Sequence, residues 1–141
     1  MKFTRVWYWL GLGPIVGRLI LLLTTTGRKS GLPRVTPLQY EEIDGVIYVA
    51  PARGRKADWF RNILSDPRVE VRVKSERFQG VAEPITDSAR IADFLEWRLQ
   101  RHPRMIGAML WFAGLPAQPD RDQLERYATK IALVAIRPHE K

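Results

Sequence analysis

A mainly antiparallel β-barrel decorated with helices, an α+β arrangement in one domain, is the fold class this sequence predicts, and three observations predict it. Short apolar or alternating runs recur between tight-turn signals, of which Asp44-Gly45 is the clearest. Strand-like segments follow one another instead of alternating with helices, which argues against a doubly wound parallel sheet and Rossmann-type nucleotide binding. The 141 residues, 45% hydrophobic and 27% charged, suit a single unit spanning 1–141 with a real core.

Residues 1–17 make an apolar, aromatic N-terminal segment. Gly11, Gly13, Pro14 and Gly17 break its helical character and Arg18 follows it, so it lacks the roughly 18 uninterrupted apolar residues of a spanning helix. No small-x-small cleavage site follows it, as a signal peptide requires. Trp7, Tyr8 and Trp9 beside Lys2 and Arg5 suit a peripheral membrane contact. They equally suit a short helix closing one end of a barrel, or a dimer contact.

Strands are expected at 19–25 and 34–43, joined by the basic turn GRKSG, and at 46–50 after Asp44-Gly45. The first three strands are expected to meander. Ala57, Trp59, Phe60, Ile63 and Leu64 recur at helical rhythm over 56–65, and Asp66-Pro67 stops that helix. Val69, Val71 and Val73 alternate with charges, and 78–85 supplies another strand. Asp87 or Ser88 caps a helix running to about residue 100, with Ile91, Phe94, Leu95 and Leu99 on its buried face. Pro103 opens a further apolar helix over 105–112, and 130–137 is the last strand.

Composition narrows the chemistry. The chain has no cysteine, which excludes disulfides, thiolate zinc sites and a cysteine nucleophile and suits a reducing cytoplasm. No metal-ligand spacing, paired carboxylates or serine-histidine arrangement stands out, and His102 and His139 read as a helix-end residue and a terminal one. A cofactor therefore carries the reactive group if this is an enzyme. The formal net charge of +8 calls for an anionic partner. Lys2, Arg5, Arg18, Arg28, Lys29 and Arg34 all precede the first acid, Glu41. Basic residues concentrate in two turns instead of along one helix or sheet face, so nucleic acid is not the expected partner.

The segment 23–38, LTTTGRKSGLPRVTPL, is the most specific stretch. Its glycines let the backbone approach a ligand, Thr25, Thr26 and Ser30 offer hydroxyls, and Arg28 and Arg34 suit phosphate oxygens. A P-loop pattern is absent. As an alternative, GRKSG is simply a solvated hairpin tip. A second basic loop, 50–57, runs into a helix N-terminus, where amides and dipole favour an anion. Trp59 and Asn62 share a face of that helix, although Trp59 is equally readable as core.

These two blocks, LTTTGRKSGLPRVTPLQY and APARGRKADWFRNILSDPRVEV, resemble the signature of the deazaflavin-dependent nitroreductase family of split β-barrel flavoproteins over roughly 18–85. The resemblance implies a homodimeric, FMN-binding-like split β-barrel that holds coenzyme F420 or, in some relatives, another flavin such as FMN or a haem-type ligand; an FMN-dependent oxidase or reductase and a non-catalytic flavin- or deazaflavin-binding or membrane-peripheral protein are the alternatives. It further implies hydride transfer from the reduced coenzyme to a small-molecule electron acceptor such as a quinone, an enone or a nitroaromatic. Carried onto this chain, it places Thr25, Thr26, Arg28, Ser30, Arg34 and Pro37 on one side of the cofactor's phosphate and acidic tail. Ala52, Arg53, Gly54, Lys56, Trp59 and Asn62 fall on the other. Arg53, Gly54 and Arg55 depart from the family's glycine- and proline-containing approach to the tryptophan. Tyr127-Ala128-Thr129 is a partial match to its C-terminal tyrosine motif, which makes Tyr127 the candidate for a substrate-side hydroxyl. Trp111 and Phe112 are expected either as plain core or as a roof over the site.

Overall fold

The computed structural model describes residues 20–116 and 118–139. The N-terminal segment expected to serve as membrane contact, barrel plug or dimer contact lies outside the described residues.

Among the described residues, seven strands form one antiparallel sheet in the order β2-β1-β5-β6-β7-β4-β3. They are β1 (Ile20–Thr26), β2 (Pro33–Gln39), β3 (Glu41–Ile43), β4 (Val46–Val49), β5 (Arg68–Val73), β6 (Glu76–Ile85) and β7 (Leu133–Pro138). A 3-10 turn at Gly54–Lys56 precedes α1 (Asp58–Ser65), and three further helices follow β6: α2 (Ser88–Arg101), α3 (Pro103–Phe112) and α4 (Arg121–Ala128).

The two outermost strands, β2 and β3, are consecutive in the chain and separated by Tyr40 alone. A flat sheet cannot have its opposite edges one residue apart, so the sheet curls on itself as a barrel does. The expected single strand over 34–43 is therefore two strands. Its first half pairs with β1, Ile20 opposite Gln39, while its second half leaves to pair with β4, Glu41 opposite Tyr48. The expected meander of the first three strands fails at the same point, because the β3–β4 hairpin joins the sheet through β7. That hairpin turns as its sequence asks: Asp44 and Gly45 both have positive φ, 52° and 80°, the requirement of a type I′ turn.

Strand β7 is buried on both faces, and its alternate residues serve two cores. Val134 and Ile136 join Leu21, Leu23, Val71, Phe60 and Ile63 under α1. Leu133 and Ala135 join Ile85, Ile91, Leu95, Ile106, Leu110 and Leu124 under the three later helices. Such double burial explains why 131–136 reads as an unbroken apolar run instead of an alternation. In α1 the buried side chains are Trp59, Phe60, Asn62 and Ile63, whereas Leu64 faces outward. Asp87 caps α2, its side chain accepting a hydrogen bond from the Ala89 amide at 3.3 Å.

Helix α4 was not expected from hydrophobic periodicity, since Leu124 and Ala128 are its only fully buried residues. A capping box forms it instead: Asp120 accepts from the Gln123 amide at 2.8 Å and Gln123 Oε1 accepts from the Asp120 amide at 2.8 Å. Arg121 then ties α4 to α2 through Asp93 and Glu96, at 2.7 and 2.8 Å. Trp111 and Phe112 are 61% and 89% exposed at the end of α3, so they are not core.

Candidate functional site

The β1–β2 hairpin folds tightly at its tip because the Gly27 amide donates to Leu32 O and the Gly31 amide to Gly27 O, each at 2.8 Å. Gly31 sits at φ +72°, where other residues are strained. At Gly27, an added Cβ would come within 2.7 Å of Ser30 Oγ and 3.2 Å of Leu32 O, so glycine keeps the turn closed.

This tip docks on the first turns of α1, and Asn62 makes the joint. Buried to 3% exposure, Asn62 accepts from the Arg28 amide at 3.2 Å and from Arg28 Nη1 at 2.9 Å. Its own amide donates to Thr25 Oγ1 at 3.2 Å, which satisfies the buried threonine hydroxyl. Arg28 also donates to Asp58 O at 3.3 Å and pairs with Asp58 Oδ1 at 3.2 Å. The guanidinium expected to grip a phosphate is thus engaged by α1, and its role in this structure is to hold the hairpin against that helix.

Between hairpin and helix lies a cleft of about 520 Å³, lined by Gly27 to Ser30, Arg34 to Thr36, Asp58, Trp59 and Asn62. Lys29 and Arg34, both exposed, make no ion pair with a described residue and present free positive charge there, next to the Ser30 hydroxyl. Trp59 is buried, edge-on to Phe60 with ring centroids 6.4 Å apart, and also contributes to the wall, so its core and cleft readings both hold.

A second cavity of about 310 Å³ is lined by Pro37 to Glu41 and by residues of α2. Apolar groups, among them Leu38, Val49, Ile91, Phe94, Met109 and Leu133, make most of its wall. Its polar groups include Tyr40, Glu41, Tyr48, Arg98 and Tyr127. Burial pushes the Tyr127 phenol above its ordinary pKa of 10.0; with or without that shift it is a hydrogen-bond donor at neutral pH.

The structure therefore distributes the expected residues over four places. Arg28, Ser30, Arg34, Trp59 and Asn62 share the basic cleft, with Thr25 beneath it. Pro37, Ala52 and Tyr127 line the apolar cavity. Thr26 lines a third cavity with Arg68 and Gln79, a cavity that Thr25 lines as well. Arg53, Gly54 and Lys56 line none of the three; they form the 3-10 turn and its cap, with Gly54 at φ +62° beside the Lys130 carbonyl. Arg55 in that turn reaches Thr86 O at 3.4 Å, pinning the loop to the start of α2. The first basic bend meets the helix after the second, but Lys56 does not face Arg28 across the cleft. Sequence reasoning counted Lys29 among the basic residues but did not assign it to the site, although it lies inside GRKSG. It also passed over Arg98 and Tyr48, which sit in ordinary amphipathic segments and carry no local signal.

Residues 11–104 match the family model described as F420H(2)-dependent quinone reductase. Over 68 residues the chain is 40% identical to the F420H(2)-dependent quinone reductase of Mycobacterium tuberculosis strain H37Rv, covering 46% of each protein. The same identity and coverage hold for the putative F420H(2)-dependent quinone reductase of Mycobacterium bovis. The chain spans about half the length of the curated relatives it matches. Among solved structures, the heme storage protein HutZ of Vibrio cholerae superposes with a TM-score of 0.59 at 17% identity, covering 91% of this chain and 88% of that one. An F420-H2 dependent reductase, FDR-A, gives 0.56 at 22% identity, covering 84% and 94%. At these identities the likeness establishes the fold, a split β-barrel. With its two signature blocks now the walls of one basic cleft, and with the family model matched over 11–104, the chain belongs to the F420H(2)-dependent quinone reductase family.

Proposed function

We propose that this protein transfers hydride from reduced coenzyme F420 to a quinone. The observation that carries the reading is the basic cleft between the β1–β2 hairpin and α1, in a protein that also holds a mainly apolar cavity lined by Pro37 to Tyr40 and α2. Lys29, Arg34 and the Ser30 hydroxyl fit the coenzyme's phosphate and acidic tail, which need cations and donors on a surface that a backbone can approach closely. Arg28 contributes by fixing the hairpin and adds positive potential to the cleft.

The coenzyme supplies the hydride. The chain's own residues bind, orient and exclude water, and the mainly apolar cavity is suited to a flat, electron-poor acceptor. Tyr127, which lines this cavity, is the proposed substrate-side donor. Enones and nitroaromatics share the quinone's electron-poor character and are proposed as further acceptors. A homodimer is proposed too: Leu32 and Val35 are 58% and 60% exposed at the hairpin tip and along the edge strand β2, an apolar edge that pairing would cover. A neighbouring fold, with a TM-score of 0.56 and 19% identity, is described as a domain-swapped dimer.

Turnover tests the reading. Anaerobic mixing of the protein with reduced F420 and menadione is expected to regenerate the oxidised coenzyme's absorbance in proportion to protein concentration. A rate no faster than that of the protein-free mixture would refute the enzymatic reading.

A further inference from the structure

The apolar cavity contains one cation that the proposed hydride transfer leaves unexplained. Arg98 projects from the third turn of α2 into the wall shared with Tyr40, Tyr48 and Tyr127. Its side chain and that of its counter-ion Glu41 are 18% and 17% exposed, so both charges are largely out of water. The pair is nevertheless poorly joined. Nε lies 3.5 Å from Glu41 Oε1, and that buried nitrogen has no hydrogen-bond partner. The same carboxylate oxygen is shared with His102 Nε2, also at 3.5 Å. The guanidinium carbon stands 5.9 Å from the centroid of the Phe94 ring, which gives it an aromatic face and no acceptor. A desolvated guanidinium with an unused donor, in a mainly apolar cavity whose other polar groups are Gln39, three tyrosines and Glu41, is prepared for an oxygen brought by a ligand.

We propose that Arg98 is an acceptor-binding residue, which holds a quinone carbonyl oxygen and the negative charge that develops on it. The inference rests on the functional reading above and deepens it. Addition of a hydride to one carbonyl oxygen of a quinone delivers two electrons and one proton and leaves the hydroquinone monoanion. The charge then lies on the second oxygen, until solvent provides the remaining proton. A fixed cation at that oxygen binds the product-like anion more tightly than the neutral quinone and so favours the transfer. Glu41 opposes this by neutralising the guanidinium.

Calorimetric titration of the ligand-free protein with 2-hydroxy-1,4-naphthoquinone, an anion at neutral pH, tests the proposal without turnover. Arg98→Met is expected to weaken binding by about tenfold, the loss of one charged hydrogen bond; a change smaller than threefold overturns the proposal. Glu41→Gln acts in the opposite sense. It releases Arg98 from its counter-ion and is expected to tighten binding at least twofold, and unchanged or weaker binding overturns the proposal even if Arg98→Met does not fold. Absence of naphthoquinone binding to the unaltered protein overturns it as well. A parallel titration with F420 separates the two ideas: failure of the unaltered protein to bind F420 refutes the functional reading, whereas the naphthoquinone titrations bear on Arg98.

Discussion

Asn62 and Arg28, 34 positions apart, are joined by two hydrogen bonds to a single oxygen: Asn62 Oδ1 accepts from the Arg28 amide at 3.2 Å and from its guanidinium at 2.9 Å. Because Asn62 also donates to Thr25, one buried amide fixes strand, hairpin tip and helix together. Asn62→Ala strips partners from the Thr25 hydroxyl and the Arg28 amide at once. A loss of about 2–3 kcal/mol in unfolding free energy is expected, read from urea denaturation. Asn62→Asp retains the acceptor and loses the donor, so it is expected to fall between the two.

The free cations of the cleft should matter to ligand and little to fold. Replacement of Lys29 or Arg34 by alanine is expected to change stability by no more than about 0.5 kcal/mol, as for exposed side chains without partners. Each should weaken F420 binding, more at low salt than at high salt, since screening already diminishes such contacts. Lys56→Ala should weaken it less, because Lys56 does not line the cleft. Fluorescence titrations at two ionic strengths measure all three.

Gly80 in β6 marks a close approach of two backbones. A Cβ there would stand 2.8 Å from the Arg137 carbonyl oxygen and 3.3 Å from Ile136 Cγ2, so either β6 or β7 must shift. Gly80→Ala is expected to destabilise by about 1–3 kcal/mol, an overpacking cost read as a lowered Tm.

Asp66 receives three hydrogen bonds from Arg68, from its amide at 3.1 Å and its guanidinium at 3.0 and 2.9 Å. They lower its pKa from 3.8 to about 2. A carboxylate with a depressed folded-state pKa lends stability above its unfolded value and loses it as pH falls through the folded one. The Asp66 contribution is therefore complete above about pH 4 and vanishes toward pH 2. Carboxyl-carbon NMR should show an Asp66 midpoint near 2, and Arg68→Ala should return it toward the ordinary value.

The turn chemistry of this fold was legible in the sequence. Asp44-Gly45 takes the positive φ values its residues favour, and GRKSG closes the hairpin that its glycines permit. Long-range choices were not legible. Nothing local to Tyr40 distinguishes a bend that sends the chain to the opposite sheet edge from one more strand residue. Helix α4 buries too little to show a period, although Asp120 and Gln123 announce its start. At the site, residue types pointed to the right segments but not to their use. Arg28 is spent on Asn62 and Asp58, and Lys56 belongs to a turn outside the cleft, because the pairing of α1 with the hairpin is set by burial of Phe60, Ile63 and Asn62. Arg98 becomes meaningful only when β3 places Glu41 beside it.

The central claim is that the hairpin–helix cleft holds the anionic end of coenzyme F420, and a binding isotherm of the K29A/R34A double variant against the unaltered protein tests it most directly. Saturable binding to the unaltered protein, weakened by an order of magnitude or more in the variant with unchanged Tm, is the expected result. Equal affinity in the two proteins, or no binding to either, would contradict it.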